Sequence, residues 1–174
     1  AFTRAEQDQH AAESWRRANA AREAGLFASQ LVPVECENGT TVDADERPAG
    51  VDYEGMAALA PAFVPGGTIT LASSAPPADG AAAVVLGLAG EAASQGRVPL
   101  ARVVSWGTHA HEPLWFTTAP ALAARRALEK AGWRADQVDL WEVDEAFALM
   151  PMAFAQELEV SHARINIHGG AVAF

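Results

Sequence analysis

From residue 101 to the end of the chain, short β-branched runs alternate with helix-length segments, and this alternation constrains the fold more than any other feature. Residues 101–106, 138–143 and 165–167 read as strands, and residues 120–131 and 146–158 as helices. A strand followed by a helix and another strand buries its apolar face most readily in a layered α/β arrangement. Pro120 near the first turn and Gly132 just past the last one punctuate the first of these helices.

The preceding half is less regular but carries clear local signals. Thr3 followed by Glu6 forms a capping box, and the Ala- and Arg-rich helix it opens should end at Gly25. Residues 31–34 read as a short strand whose Pro33 suits a sheet edge. Residues 37–50 are acidic and turn-rich, an expected surface excursion. Asp52 is expected to cap a short helix that Pro61 closes. Residues 68–70 are extended, and Pro76-Pro77 keeps residues 73–78 out of a helix interior or a central strand. Residues 81–88 are apolar throughout, which predicts a buried strand, and residues 90–95 a helical turn stopped by Gly96.

A chain of 174 residues is long enough for one domain to bury about two thirds of its unfolded surface. Twelve Lys and Arg against 22 Asp and Glu give a formal net charge of -10, which argues against binding nucleic acid. No apolar run is long enough to span a bilayer and no secretory signal pattern is present, so a cytoplasmic location is expected. The first residue is not Met and the last follows an apolar run, so the sequence is expected to be an internal segment of a longer protein. The one cysteine, Cys36, excludes an internal disulfide or a cysteine metal cluster. Two flanking carboxylates, Glu35 and Glu37, disfavour a thiolate there, so Cys36 is a poor nucleophile.

Four constellations bear on chemistry. His109 and His111 would share one face of a strand, but no further ligand stands at a metal-site spacing, and they read as surface histidines. Glu142, Asp144 and Glu145 cluster at a strand end, where they serve either as an acid–base pair or as caps for the following helix. His168-Gly169-Gly170 after a strand is a turn able to present backbone N–H groups to an anion. The stretch from Gly87 to Gly90 lacks the third glycine and the acidic residue of a dinucleotide fingerprint.

Several stretches together, in order and at matching intervals, resemble the thiolase family. Thr3-Arg4-Ala5-Glu6-Gln7-Asp8, Ala24-Gly25-Leu26-Phe27 and Leu31-Val32-Pro33-Val34 are similar to the helix and strand leaving that family's loop domain. Asp43-Ala44-Asp45-Glu46-Arg47, Leu59-Ala60-Pro61-Ala62-Phe63 and Gly67-Thr68-Ile69-Thr70 continue the resemblance, as does Asp79-Gly80-Ala81 with the apolar run after it. Phe116-Thr117-Thr118-Ala119-Pro120, Ala131-Gly132-Trp133, Asp139-Leu140-Trp141-Glu142-Val143-Asp144-Glu145-Ala146-Phe147-Ala148 and Asn166-Ile167-His168-Gly169-Gly170-Ala171 complete it.

The resemblance implies the thiolase layering of helices and mixed sheets (αβαβα), present here in part. Residues 1–78 would be the end of the loop domain and its return to the core. Residues 79–98 would close the N-terminal half, and residues 99–174 would open the C-terminal half. It also implies an acyltransferase that condenses or thiolytically cleaves acyl-CoA through a cysteine thioester, with a histidine and a second cysteine moving protons. Coenzyme A thioesters are then substrates, with no separate cofactor or metal, and the complete protein is expected to be a homo-oligomer. Three of the family's four catalytic loops have no counterpart among the 174 residues, and Cys36 matches none of them.

The fourth loop is matched with a change. Asp144 stands where the family carries the asparagine that holds an oxyanion-hole water. Arg47 and Phe63 match positions at the nucleotide end of coenzyme A, Phe63 as an apolar platform. Ala75 stands at a pantetheine-bonding serine, Ser73 at a usual asparagine, and Pro76-Pro77 at a glycine-led pair. Phe116, Ala146 and Phe147 match residues lining the acyl and pantetheine tunnel. These departures raise an alternative, a degenerate thiolase-like protein that binds or scaffolds without catalysis.

Overall fold

The computed structural model describes residues 1–45 and 55–174. Helix α1 spans Arg4–Glu23, and its start is as expected: Thr3 accepts from the Glu6 N–H while the Glu6 side chain returns to the Thr3 backbone. Beyond the last turn, Gly25 takes φ +66°. Its N–H reaches the Arg22 carbonyl and the Leu26 N–H reaches the Ala21 carbonyl, a Schellman closure that needs the left-handed backbone glycine tolerates.

The buried stripe of α1 recurs at helical spacing through Gln7, Ala11, Ser14, Ala18 and Ala21, with Trp15 beside it. It is small and partly polar, so each polar member needs a partner. The Gln7 amide donates to the Thr68 hydroxyl at 2.9 Å, and the Trp15 indole N–H donates to the Val172 carbonyl at 2.8 Å. Around Ala11, Trp15 and Ala18 gathers one core, completed by Met56, Ala72, Ala148, Val172 and Ala173.

A second core lies between α3 (Ala119–Ala131) and α4 (Leu149–Leu158). Ala121, Phe154, Ala155 and Leu158 meet Val143 and Ile165 there. Gly132 closes α3 with φ +70°, at the expected place. Helix α4 starts later than predicted. Pro151 can occupy only its first turn, and residues 146–148 stand ahead of the helix, with Phe147 in a bridge to Ser74.

Strand pairing is where the structure departs most from the sequence reading. Among the described residues, β1 (Val34–Glu35) and β2 (Thr41–Val42) form an antiparallel hairpin, and single bridges join Trp141 to Ile165 and Ser74 to Phe147. The bridge at Trp141 and Ile165 is parallel, as the alternation of strands with helices requires. Residues 81–88, expected as a buried strand, form no strand and are exposed, with Val85 96% accessible. Residues 101–106 likewise pair with nothing described. A strand exists only against a hydrogen-bonded neighbour, and β-branched composition supplies none. Downstream of the first of these runs, α2 (Ala89–Ser94) is the expected helical turn, ended at Gly96. The predicted Asp52 cap lies outside the described residues.

Candidate functional site

Five of the seven expected site residues converge on one short backbone pairing. A tight turn over Leu71–Ser73 is stapled by its own hydroxyls: the Thr70 N–H donates to Ser73 Oγ at 2.9 Å, and Ser74 Oγ–H donates to the Thr70 carbonyl at 2.7 Å. This turn delivers residues 73–75 alongside residues 146–148. The Ala148 N–H donates to the Ser73 carbonyl at 2.9 Å and the Ala75 N–H to the Ala146 carbonyl at 3.1 Å. The expected pantetheine loop and the expected tunnel segment are therefore hydrogen-bonded neighbours.

Three phenyl rings gather on that pairing. Phe147 meets Phe63 edge to face with centroids 5.7 Å apart, and meets Phe116 at 6.1 Å. Such edge contacts hold rings at fixed angles. Phe116 is presented by the 3₁₀ turn Pro113–Thr118, which Pro113 opens. Phe63 and Phe116 remain exposed, at 66% and 44%. The site is thus an open aromatic shelf. Cavities of about 350 Å³ beside Arg125 and Trp133 and of about 320 Å³ beside Arg16 and His168 contain none of its residues. Arg47 lies outside the described residues.

Asp144 sits three residues before the shelf's Phe147. It is exposed, and its carboxylate makes no hydrogen bond or ion pair with another described residue. Its neighbours in the acidic cluster are set apart by environment. Glu142 is held above the ordinary carboxylate range by loss of hydration, with the Glu145 charge adding to the effect and His168 opposing it.

Glu145 is fully buried. Its Oε1 receives His10 Nε2 and the Asn166 amide, both at 3.0 Å. Its Oε2 receives the Ser14 hydroxyl at 2.8 Å and the Val172 N–H at 3.3 Å. Burial pushes this carboxyl up, but the His10, Ser14 and Asn166 hydrogen bonds more than offset it, leaving it below its ordinary value.

Sequence reading saw the carboxylate cluster but missed the partners His10 and Ser14, which lie more than 130 positions away. The available signal was their spacing of four in α1, which places both on one face beside Ala11 and Ala18. Asn166, quoted only as part of a glycine-rich signature, has φ +47° and clasps the Val143 backbone through both amide atoms at 2.8 Å. His109 and His111 lie edge to face at 5.4 Å, and no group of three metal-ligating side chains occurs among the described residues. Cys36 lies in the hairpin turn between β1 and β2.

Comparison with known proteins gives one consistent result. Residues 1–89 match the family model for the thiolase N-terminal domain, and residues 97–174 the one for the thiolase C-terminal domain. An acetyl-CoA acetyltransferase of Yarrowia lipolytica is 41% identical over 175 residues, which cover 99% of this chain and 44% of that protein. A cytosolic acetyl-CoA acetyltransferase of Gibberella zeae is 39% identical over 177 residues, at the same coverage. The crystal structure of Acat5 thiolase from Ascaris suum in complex with coenzyme A superposes with a TM-score of 0.93 at 38% identity, covering 99% of this chain and 45% of that one. The chain thus spans a little under half the length of the relatives it matches. No helix among the described residues is long and apolar enough to cross a membrane.

Proposed function

Since this chain belongs to the thiolase family, we propose that it supplies the coenzyme A shelf and the oxyanion-water loop of an acetyl-CoA acetyltransferase. The observation that carries this reading is the pairing of residues 73–75 with 146–148 beneath Phe63, Phe116 and Phe147. An extended, mostly apolar pantetheine arm fits along such an edge, and rings beside it exclude water from a thioester. Arg47 is assigned to the anionic nucleotide end. A positive charge matters there, because a chain of net charge -10 otherwise repels a polyanion. In this reading residues 1–78 end the loop domain, 79–98 close the N-terminal half and 99–174 open the C-terminal half. The complete protein is cytoplasmic and homo-oligomeric.

The chemistry asked of this chain is stabilisation of charge. When a thiolate or carbanion adds to a thioester carbonyl, negative charge moves to the carbonyl oxygen, and pre-placed donors lower the barrier. A water held by Asp144 would donate one hydrogen bond to the carboxylate and point its other O–H at that oxygen. The asparagine usual at this position can also accept from the water, and it does so without a full negative charge nearby. Covalent transfer needs the nucleophile and proton-moving residues of the other three loops, which the 174 residues do not include.

A second reading, a thiolase-like subunit that binds without catalysing, is favoured by Asp144 itself and by Ala75, which has no hydroxyl to offer the pantetheine. Both readings require coenzyme A to bind. Calorimetric titration of the chain with coenzyme A should show saturable binding that Phe147→Ala weakens about tenfold, the loss of one aromatic wall. Equal affinity in both proteins would remove the shelf from the account.

A further inference from the structure

We propose that Glu145 is a positioning residue, a buried anionic peg that sets where the Asp144 loop stands by locking it to α1 and to the Gly169-Gly170 turn. The coenzyme A reading enters only in what the loop is for; the locking stands on geometry alone. The loop is pinned at both ends by apolar anchors, Val143 in one core and Ala148 in the other. Between them Glu145 points inward and Asp144 outward, so the direction of Asp144 follows from how Glu145 is seated.

Three separate chain segments converge on the peg. From α1 come His10 and Ser14, from the strand end Asn166, and from beyond the glycine turn the Val172 N–H. Ser14 is a relay, since its hydroxyl donates to Glu145 while accepting the Gly170 N–H at 2.9 Å. The approach is close enough that a Cβ on Gly170 would lie 2.5 Å from Glu145 Oε2. Every partner named here donates or can donate, so the seat is shaped for an acceptor-only group.

A buried carboxylate held by hydrogen bonds in this way is weak evidence of a gain in stability over apolar packing, because desolvating the charge costs about what its partners return. Its better-attested use is to fix one arrangement among several. Glutamine at 145 keeps the shape but turns one acceptor oxygen into a donor facing other donors. Residues 143–148 and 169–172 should then lose their register, while α3, which supplies none of the hydrogen bonds to the peg, should not.

The test is amide hydrogen exchange on the 174-residue chain, its Glu145→Gln and Ser14→Ala variants, and the double variant His10→Gln, Glu145→Gln. We expect both single variants to raise exchange at residues 143–148 and 169–172 about tenfold or more, with α3 unchanged. The double variant, in which two amides can pair, should recover much of the protection lost in Glu145→Gln. Should Glu145→Gln fail to fold, Ser14→Ala carries the test, because it removes one bond from Glu145 and one from Gly170. Equal acceleration in α3 and in the loop, or none in either, would overturn the proposal. Coenzyme A titration of the same samples keeps the two ideas apart. If wild type fails to bind, the functional reading falls while the exchange data still decide this one.

Discussion

In the proposed reading Asp144 stands where an asparagine would hold the oxyanion water, one oxygen-for-nitrogen exchange away, and the consequences of that exchange are testable. In an enzyme that joins this chain to a nucleophile and a base, Asp144→Asn should keep or raise kcat near neutral pH. It preserves an acceptor for the water and removes a charge that opposes the forming oxyanion. Oxyanion-hole elements are worth about 100- to 1000-fold, so steady-state rates will show the direction clearly. Loss of turnover with coenzyme A affinity intact would give the aspartate a role of its own. The buried and paired carboxylates act on stability instead. The Glu13 carboxyl is held at about 2, chiefly by its hydrogen bond from Arg16 and also by Arg17, and Glu145 is held below its ordinary value. A carboxylate depressed in the folded state stabilises the fold above its unfolded value and loses that contribution as pH falls through the folded one. The melting temperature should therefore drop between pH of about 4.5 and about 2. Glu13→Gln should flatten the fall only in part, since Glu13 is partly exposed and its ion pairs are screened.

At the scale of elements, the sequence was readable where the determining contacts are local. The capping box at Thr3, the Schellman glycines Gly25 and Gly132 and the stop at Gly96 each depend on residues within one or two turns. The structure has all four. Residues 81–88 and 101–106 failed as strands for the opposite reason, since pairing is set by a distant neighbour that composition does not name. The late start of α4 is set locally by Pro151, which fits only a first turn. For the site, matched motifs indicated Phe63, Ala75, Phe116, Ala146 and Phe147 together, whereas the polar seat of Glu145 required α1 to be folded against the loop. The cores make checkable demands of their own. Phe154→Ala should cost about 3–5 kcal/mol in urea unfolding, as it empties the space between α3 and α4. Trp15→Phe should cost about 1–3 kcal/mol, because the buried Val172 carbonyl loses the indole N–H.

For the molecule as a whole, exposed apolar surface is the dominant physical fact. Val84, Val85, Leu86, Val98 and Leu100 stand in solvent outside any helix or strand, an apolar surface that invites pairing with another chain. The 174-residue chain should self-associate or require a partner that supplies neighbouring strands, which sedimentation velocity will reveal. A monodisperse monomer with a sharp melt would support the self-sufficient binding subunit instead. The chain should also show no thiolysis of acetoacetyl-CoA above background, and Cys36→Ala should leave that background untouched. The central claim is that residues 73–75 and 146–148 form the edge along which coenzyme A lies. Its most direct test is titration of the ¹⁵N-labelled chain, kept dispersed, with coenzyme A while amide shifts are followed. The account predicts saturable shifts at Ser73, Ser74, Ala75, Ala146, Phe147 and Ala148, extending to Phe63 and Phe116. Saturable shifts confined to the far side of α3, or no shifts at millimolar coenzyme A, would contradict it.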